Sequence, residues 1–548
     1  MSDQKMAVPE LFRPAVDFPE MPYDHLLRSA AGRHPDRPAI IYHDLMLTYR
    51  EVVSMVNSIA NGLRSLGLGK GDIICLFTLN RPEYTITLNA AATIGAIVSP
   101  MNPSYKEREI TYQLENSEAK AILIQRELLP LLQIVLSQKS LPHLKQIIIT
   151  GDRVPTGISD IPNTPNVTPF ARLLRESSPK RPEPVEISGD DLVALPYSSG
   201  TTGFPKGTMI SHRNLATNHL QFTTAFRVTI TDVVLIFLPM YHIYGVILTG
   251  AFLTGGATQV LMERFDLLQS LELCEKHGVT YYPAVPPIVV GLANAPVDLE
   301  KMKTVKYIFS AAAPLPLDPA HKLVGKLQGK SKAQLIQAYG MTEASPLTHA
   351  MPGDPALARL DCVGMPVNNT EQKIVDIETG ERELPPGEDG EIIIRGPQVM
   401  QGYWKAPEET ARALRNGWLY TGDIGHVDAD GYTYIVDRKK EMIKYKGFGV
   451  APAELEAILM EHPAVLDSAV IGIPDDEAGE VPKGFVVVRP GQSVTAEELI
   501  TFVNGKLAGY KKLHVVEFID AIPKVPSGKI LRRELKEREK ALRAGKQV

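Results

Sequence analysis

The chain has 548 residues, of which 44% are hydrophobic and 22% are charged, and its net charge is −5. This length allows several domains with a large buried core, and the composition excludes wholesale disorder. The mild acidity excludes a basic surface of the kind that binds nucleic acid. Only the C-terminal tail, Arg532 to Lys546, is basic. Because glutamates alternate with its basic residues, the tail is predicted to be a solvated helix end.

From about residue 36 onward, short β-branched runs alternate with stretches of helical periodicity. The runs include AIIY (39–42), DIICLFTL (72–79), AILI (121–124), QIIIT (146–150), VVLIFL (233–238), TYYPAV (280–285) and YIFSA (307–311). This alternation predicts parallel sheets covered by helices, and hence the α/β class. Residues 152–190 are rich in Pro and Ser and are predicted to form a surface connection.

The stretch Val233–Met262 contains no Lys, Arg, Asp or Glu. Its apolar pieces, VVLIFL and GVILTGAFL, are too short to span a bilayer and are separated by residues 239–244, which include Pro239 and His242. The stretch therefore predicts a buried strand followed by a core helix.

After about residue 360 the sequence becomes rich in turns and short strands, which predicts a β-rich subdomain. The charged cluster 437–441 is the best candidate for a domain boundary. Beyond it, Pro452 is suited to open a helix, and Thr495 with Glu498 forms a capping box for another. We therefore expect a large N-terminal domain (1–438) and a small α+β C-terminal domain (439–548).

Three cysteines, Cys75, Cys274 and Cys362, lie far apart among apolar neighbours. Their spacing fits no disulfide framework or zinc site, and they are predicted to be buried thiols in a reducing compartment. The first residues, MSDQKMAVPELFRP, lack the apolar core of a signal peptide. We therefore expect a cytoplasmic protein.

The segment PYSSGTTGFPKGT (196–208) follows a predicted strand and precedes Ser211, a suitable helix cap. Its glycines let backbone N–H groups approach an anion, and Lys206 adds a positive charge, so the loop is predicted to bind a polyphosphate. It is not a Walker P-loop, because Pro205 stands where that motif has its second glycine and Gly207 where it has Ser or Thr. A flexible linker would need neither Pro205 and Lys206 nor the flanking strand and helix.

Seven further motifs follow this loop: LPMYHIYG (238–245), SAAAP (310–314), QAYGMTEASP (337–346), GEIIIRGP (390–397), GWLYTGDIG (417–425), VDRKKEMIKYKGFGVAPAELE (436–456) and PKVPSGKILRREL (523–535). In order and spacing they resemble the motifs of the adenylate-forming superfamily, which includes acyl-CoA synthetases, beetle luciferases and peptide-synthetase adenylation domains. The chain is most similar to the branch of 4-coumarate–CoA ligases and fatty-acyl-CoA synthetases. The resemblance covers most of the chain and implies two half-reactions. A carboxylate and ATP form an acyl-adenylate, and coenzyme A then takes the acyl group with release of AMP.

The resemblance assigns the nucleotide site residue by residue. The phosphate loop would hold the β- and γ-phosphates through Ser198, Ser199, Gly200, Thr201, Thr202, Gly203 and Lys206. The adenine would be bordered by Gln337, Ala338 and Tyr339. Thr342 would bind the α-phosphate, and Asp423, helped by Arg438, would bind the ribose. Glu343 is the predicted Mg²⁺ ligand, since a carboxylate is a hard oxygen donor.

Two lysines are implied as catalytic residues, one for each half-reaction. Lys529 would bridge the incoming carboxylate and the α-phosphate as negative charge shifts. Lys444 would contact the adenylate during thioester formation, after the small domain swings about Lys440. Coenzyme A would be bound by Arg264, Lys446, Gly447 and Phe448. Relatives often carry Gln at the position of Gly449, so that side-chain contact is missing here.

The resemblance places the acyl pocket along apolar segments that flank the nucleotide motifs, at His242, Ile243, Tyr244, Gly245, Leu248, Ala311, Ala338, Pro346 and Leu347. No Asp or Arg occurs among them, which disfavours amino-acid and dicarboxylate substrates, because an unpaired buried charge is costly. His242 either gates the pocket and orients the carboxylate, as a third catalytic residue, or is an ordinary core histidine. Ala338 and Leu248 would narrow the pocket. The sequence does not decide whether the pocket accepts an acyl chain of a given length or an aromatic ring.

These inferences predict an AMP-forming carboxylate–CoA ligase for an apolar acid, either a medium- or long-chain fatty acid or an arylpropenoate-like acid. Its cofactors and co-substrates would be ATP, Mg²⁺ and coenzyme A, and peripheral membrane contact is compatible with the sequence. One alternative is a luciferase-like or carrier-loading adenylating enzyme, although no carrier domain follows Val548. Another is a catalytically idle acyl-nucleotide-binding scaffold. The idle scaffold is disfavoured because the chain retains the residues expected to act in catalysis: Lys206, Glu343, Asp423, Arg438 and Lys529.

Overall fold

The fold is given by a computed structural model. It describes residues 22–151, 165–198, 205–353, 357–445, 448–475, 478–507, 511–525 and 528–545, with the backbone alone at 448–449 and 544–545. Within these ranges, no helix is both long enough and apolar enough to cross a bilayer.

The first part of the chain alternates strands and helices as predicted. Its elements are α1 (His25–Arg33), β1 (Pro38–Tyr42), β2 (Leu45–Thr48), α2 (Tyr49–Ser65), β3 (Ile73–Phe77), α3 (Pro82–Thr93), β4 (Ile97–Pro100), α4 (Glu107–Ser117), β5 (Ala121–Ile124), α5 (Leu129–Gln138), β6 (Gln146–Ile149), β7 (Asn166–Pro169), α6 (Phe170–Glu176), β8 (Leu192–Ala194), β9 (Tyr197–Ser198) and β10 (Lys206–Ser211).

A second run of alternating elements follows. It comprises α7 (His212–Ala225), β11 (Val233–Ile236), α8 (Ile243–Thr254), β12 (Thr258–Leu261), α9 (Leu267–His277), β13 (Tyr281–Ala284), α10 (Pro286–Asn294), β14 (Tyr307–Ser310), α11 (Leu317–Leu327), β15 (Gln334–Gly340), β16 (Leu347–Ala350) and β17 (Met365–Pro366). The apolar stretch from residue 233 to 262 is thus a strand, a buried helix and a strand, as its sequence predicted.

The remaining elements are mostly strands up to Arg438 and mixed beyond it. They are β18 (Glu371–Val375), β19 (Gly390–Arg395), β20 (Gly402–Tyr403), α12 (Pro407–Ala413), β21 (Leu414–Arg415), β22 (Trp418–Val427), β23 (Thr433–Arg438), β24 (Ile443–Tyr445), β25 (Phe448–Val450), α13 (Pro452–Met460), β26 (Val465–Asp475), β27 (Gly479–Val488), α14 (Ala496–Asn504), β28 (Val515–Phe518) and α15 (Arg532–Gly545).

Two nine-stranded sheets carry the large part of the molecule. One has the order β20-β10-β8-β4-β3-β5-β6-β7, with β9 on β10, and the other has the order β17-β16-β15-β14-β13-β11-β12-β1-β2. Their central strands run parallel, as in the pairs β3–β4, β3–β5, β11–β12 and β14–β15. Strand β3 is buried along its whole length because helices cover both faces of the sheet.

A five-stranded sheet of order β18-β19-β22-β21, with β23 on β22, forms the β-rich subdomain. A second five-stranded sheet, β25-β24-β27-β26 with β28 on β27, packs with α13, α14 and α15. The predicted α/β class is confirmed, with its mostly parallel sheets, β-rich subdomain and smaller α+β region. Pro452 lies in the first turn of α13, and Thr495 caps α14 with Glu498, as expected.

In its described part, the predicted connection at 152–190 includes two regular elements, because β7 extends the first sheet and α6 packs against α2. One prediction about a surface segment needs correction. The C-terminal tail forms the expected helix, but the helix is anchored rather than merely solvated. Arg532 pairs with the Glu456 carboxylate at 2.7 Å, and Lys483 binds Glu539 at 2.5 Å, so α15 docks on β26 and β27. The three cysteines are buried, as predicted.

Candidate active site

The candidate adenine and phosphate residues lie at the carboxyl edge of the second nine-stranded sheet. Strand β14 ends at Ser310, level with Gln337 of β15, and β15 continues through Ala338 and Tyr339. Thr342 and Glu343 follow in a short 3-10 turn. In open α/β sheets, ligands bind outside this edge. The predicted residues are therefore brought to the place where such a fold accepts a ligand.

Two hydroxyl groups hold the Glu343 carboxylate. Ser198 Oγ donates to Oε1 at 3.0 Å, and the Tyr403 hydroxyl donates to the same oxygen at 2.8 Å. No group in the described ranges donates to Oε2. A carboxylate held in this way leaves one oxygen for a hard cation, so the donor set fits Mg²⁺.

Tyr339, Asp423 and Arg438 form a second cluster beside this turn. The Tyr339 hydroxyl donates to Asp423 Oδ2 at 2.6 Å, and Arg438 Nε lies 3.2 Å from Asp423 Oδ1. The pairing of β22 with β23 places Asp423 directly opposite Arg438. Burial, and then the Asp423 charge, raise the pKa of Tyr339, so its hydroxyl stays a donor. Both oxygens of the Asp423 carboxylate are thereby held in place.

Lys529 reaches this cluster from the C-terminal region. It lies on a hairpin closed by the bridge between Lys524 and Ile530. The preceding Gly528 has φ +87° and lies so close to Pro287 of α10 that a Cβ would be 2.7 Å from the proline ring. Burial, and then the charges of Arg438 and Lys440, lower the pKa of Lys529 to about 8, while Asp423 and Glu343 act in the opposite direction. The ammonium group therefore lies within electrostatic range of Glu343 and of the Asp423–Arg438 pair.

His242 stands at the start of α8, where its Nδ1 accepts the Tyr244 backbone N–H at 3.2 Å. The residue is exposed to solvent, although protein atoms crowd around its ring. Desolvation by these atoms, and then Lys529, lower the pKa of His242 to about 4. The ring is therefore neutral at pH 7 and carries its proton on Nε2, which can donate a hydrogen bond. His242 is the helix cap of α8 and a neighbour of Lys529, which favours a role in the site.

The predicted acyl-pocket residues lie on or next to α8, β14, β15 and β16. Those of α8 are buried, and the Tyr244 hydroxyl donates to the Phe309 carbonyl at 3.2 Å. Ala311 and Ala338 follow paired residues of β14 and β15, so both lie at the sheet edge and are half-buried. Pro346 and Leu347 are buried next to them. Leu248 is completely enclosed.

Other predicted residues are not brought into the cluster. Lys444 is exposed on β24, where its backbone N–H donates to Glu480, and Arg264 is exposed after β12. Phe448 belongs to β25, but its side chain lies outside the described atoms. Outside the described residues lie Ser199, Gly200, Thr201, Thr202, Gly203, Lys446 and Gly447.

Sequence reasoning missed Tyr403 and Glu409. Lys206 Nζ lies 3.4 Å from the Glu409 carboxylate and 5.5 Å from the centre of the Tyr403 ring. Both contacts depend on the pairing of β20 with β10, which joins residues almost two hundred positions apart. The GYW sequence at this point carries no chemical signal of its own. A separate surface cavity of about 520 Å³, lined by residues of α1, α7 and α8, includes none of the candidate residues.

Comparison with known proteins identifies the family of this chain. The AMP-binding enzyme family matches residues 27–404, and the C-terminal domain of AMP-binding enzymes matches residues 454–529. The 4-coumarate–CoA ligase 1 of Petroselinum crispum is 41% identical over 503 residues, covering 90% of this chain and 89% of that protein.

Two solved structures share the fold. ATP-bound MatB from Rhodopseudomonas palustris gives a TM-score of 0.85 at 27% identity, covering 95% of this chain and 100% of that one. The anthranilate CoA ligase AuaEII in complex with anthranoyl-AMP gives 0.85 at 26% identity, covering 96% and 99%.

The fold and the clustered charges at its sheet edge define an adenylate-forming enzyme. The chain belongs to the AMP-binding enzyme family. Within that family it is an AMP-forming acyl-CoA ligase, with ATP and coenzyme A as co-substrates.

Proposed function

We propose that this enzyme activates an apolar monocarboxylic acid, arylpropenoate-like or a medium- to long-chain fatty acid, and transfers it to coenzyme A. The observation that carries the proposal is the approach of Lys529 to Asp423, Arg438 and Glu343 beside His242. Lys529 lies within electrostatic range of Arg438, Asp423 and Glu343, and these groups carry the charges that a carboxylate, an α-phosphate and a ribose require.

In the first half-reaction, a carboxylate oxygen attacks the α-phosphorus of ATP, and the bond to the pyrophosphate oxygen breaks. Lys529 neutralises charge on the carboxylate and the α-phosphate, and Thr342 donates to the phosphate. Asp423 and Arg438 hold the ribose. Glu343 would hold Mg²⁺, whose charge offsets that of the phosphates. No protein nucleophile is needed, because positioning and charge stabilisation are sufficient for phosphoryl and nucleotidyl transfer.

The acid would lie along the start of α8, with its carboxylate near His242. Because that ring is neutral and carries its proton on Nε2, it can donate to a carboxylate oxygen without forming an ion pair. None of the other residues assigned to the pocket is charged, so none of them could pair with a second carboxylate or an amino group. The names of the relatives support this class, since 4-coumarate and anthranilate are both aromatic monocarboxylates.

In the second half-reaction, the coenzyme A thiolate attacks the acyl carbon, a C–S bond forms, and the C–O bond to AMP breaks. We assign this step to a second pose, in which residues 439–548 turn about Lys440 and present Lys444. Lys444 is exposed on β24 in the present arrangement, so it is free to serve elsewhere. Coenzyme A would pass Arg264, Lys446, Gly447 and Phe448.

The test is a coenzyme A-dependent screen for AMP release with fatty acids of graded length, 4-coumarate and other cinnamate-type acids, and dicarboxylates. We expect AMP release when apolar monocarboxylates and coenzyme A are both present. Without coenzyme A, pyrophosphate release should continue at a lower level than with it. Turnover with dicarboxylates alone would contradict the proposed pocket. Pyrophosphate release that never becomes coenzyme A-dependent would contradict the proposed second half-reaction.

A further inference from the structure

Asp437 is a buried carboxylate next to the cluster of Tyr339, Asp423 and Arg438, but its side chain points away from that cluster. Only 7% of the residue is exposed. It immediately precedes Arg438 on β23, where it lies opposite Ile424 of β22. Its Oδ2 accepts the backbone N–H of Ala453 at 2.8 Å, and its Oδ1 accepts that of Arg438 at 2.6 Å. We call the bond from Ala453 to Asp437 the docking contact.

The docking contact joins two parts of the molecule. Ala453 is the second residue of α13, whose first N–H groups have no partner within the helix. A carboxylate at a helix N-terminus is favoured by both hydrogen bonding and the helix dipole. Asp437 supplies it from the third sheet, across the turn 439–442 that leads to the fourth sheet. Rotation about Lys440 would therefore break this contact.

From α13 the contacts continue to Lys529. Glu456, on the same helix, accepts two hydrogen bonds from Arg532 Nη2 at 2.7 and 2.8 Å. Arg532 Nε also donates to the Val470 carbonyl at 3.2 Å. Arg532 follows Lys529 by three residues, so its hydrogen bonds hold the C-terminal end of the hairpin in place. The path from Asp437 through α13 and Arg532 to Lys529 is thus continuous.

The same surroundings allow the contact to be released. Glu441 and Glu456 also lie within electrostatic range of Asp437, and all three carboxylates lie within electrostatic range of Arg532. Lys536 adds a weaker partner, 3.7 Å from Glu441. Three carboxylates around one guanidinium repel one another, which opposes the docked arrangement.

We propose that Asp437 is a positioning residue for adenylate formation: its docking contact holds α13, and with it the Lys529 hairpin, against the nucleotide site. The inference rests on the proposed function, because it assigns Asp437 to one half-reaction only. It gives Asp437 no contact with a substrate.

The test uses the full chain with Asp437→Ala and Asp437→Asn, each also in a Lys529→Ala background. Thr495→Ala is the matched control, since it removes a helix cap within the C-terminal region without crossing the junction. Adenylate formation is followed by ATP–pyrophosphate exchange with 4-coumarate and with decanoate. Thioester formation is followed from the two synthetic acyl-adenylates with coenzyme A. Hydrogen–deuterium exchange reports on peptides 452–460 and 523–532.

We expect Asp437→Ala to lower pyrophosphate exchange about 10-fold, the scale of a lost helix cap, and to leave thioester formation within about twofold. The loss should disappear in the Lys529→Ala background, because both changes act on one step. Deuterium uptake should rise in both peptides. Asp437→Asn keeps an acceptor and should lose less.

Equal losses in both half-reactions, losses that multiply in the double variant, or the same pattern in Thr495→Ala would overturn the proposal. If the wild-type chain exchanged pyrophosphate with neither acid, the proposed function would fail instead. Deuterium uptake would still decide whether Asp437 docks the hairpin.

Discussion

Lys529 is a half-buried lysine whose charge depends on its neighbours. Burial and the nearby Arg438 and Lys440 favour its neutral form, while Asp423 and Glu343 favour its cationic form. An incoming carboxylate and α-phosphate would add negative charge at the same point and stabilise the ammonium group. The residue is thus suited to bind charge that arrives with the substrates.

The first prediction concerns removal of this ammonium group. Lys529→Ala should lower acyl-adenylate formation by roughly 100–1,000-fold, the scale of losing one preorganised donor. Thioester formation from a supplied acyl-adenylate should be largely spared, because Lys444 is assigned to that step. Single-turnover measurements of the two half-reactions check this. Equal loss in both would contradict the assignment.

The second prediction follows from the pKa of about 8 at Lys529. The cationic form is present below that pKa and is lost as the pH rises through it. In the wild-type enzyme, kcat/KM for adenylate formation should therefore fall above about pH 8, whereas Lys529→Arg should keep a flat profile because arginine stays protonated. Pyrophosphate exchange from pH 6 to 10 measures both profiles. A decline in both variants at the same pH would assign the titration to another group.

At the scale of elements, the hairpin that carries Lys529 depends on one glycine. Gly528 has φ +87°, where a side chain is strained, and the proline ring of Pro287 occupies the space that a Cβ would need. The close approach lets the hairpin rest on the start of α10. The geometry of one turn thus decides whether the lysine enters the site.

The third prediction is that Gly528→Ala lowers adenylate formation at least about 10-fold, since strain of about 1–3 kcal/mol must be relieved by moving the hairpin. Thioester formation should change much less. Gly325→Ala is the control, because that glycine lies in α11 with no atom within 4 Å of its Cβ position. Thermal unfolding should show that both variants stay folded. An unchanged rate of adenylate formation would mean that the hairpin does not need this contact.

The sequence could predict elements whose ends are determined locally. The cap of α7 at Ser211 and the opening of α13 at Pro452 depend on neighbours within a few residues, and both are confirmed. The residues around Glu343 were predictable only in part, because Tyr403 reaches it through the pairing of β20 with β10. The contact between Asp437 and Ala453 could not be predicted either, because the donor is a backbone N–H group, which almost any residue could supply.

The whole molecule contains separate hydrophobic cores on the two sides of residues 439–442. The C-terminal region has two clusters of its own, one around Val450, Leu455, Leu459 and Val486, the other around Ile471, Phe485, Ile522 and Leu535. Such a region can turn as a unit, because rotation about the connecting turn leaves these clusters intact. Only the contacts across the junction need to break.

The fourth prediction concerns that turn. In the described part of the chain, the backbone N–H of Lys440 donates no hydrogen bond, whereas Lys439 N–H donates to the Gly422 carbonyl and Glu441 N–H to the Arg438 carbonyl. Proline at residue 440 would therefore remove no bond but would fix φ near −65°. We expect Lys440→Pro to retain adenylate formation and to lose thioester formation, because the second pose requires a different backbone angle. Lys440→Ala is the matched control, since it removes the same side chain but leaves the backbone free, and it should support both half-reactions. Thioester formation at the wild-type rate in Lys440→Pro would show that the small domain pivots elsewhere.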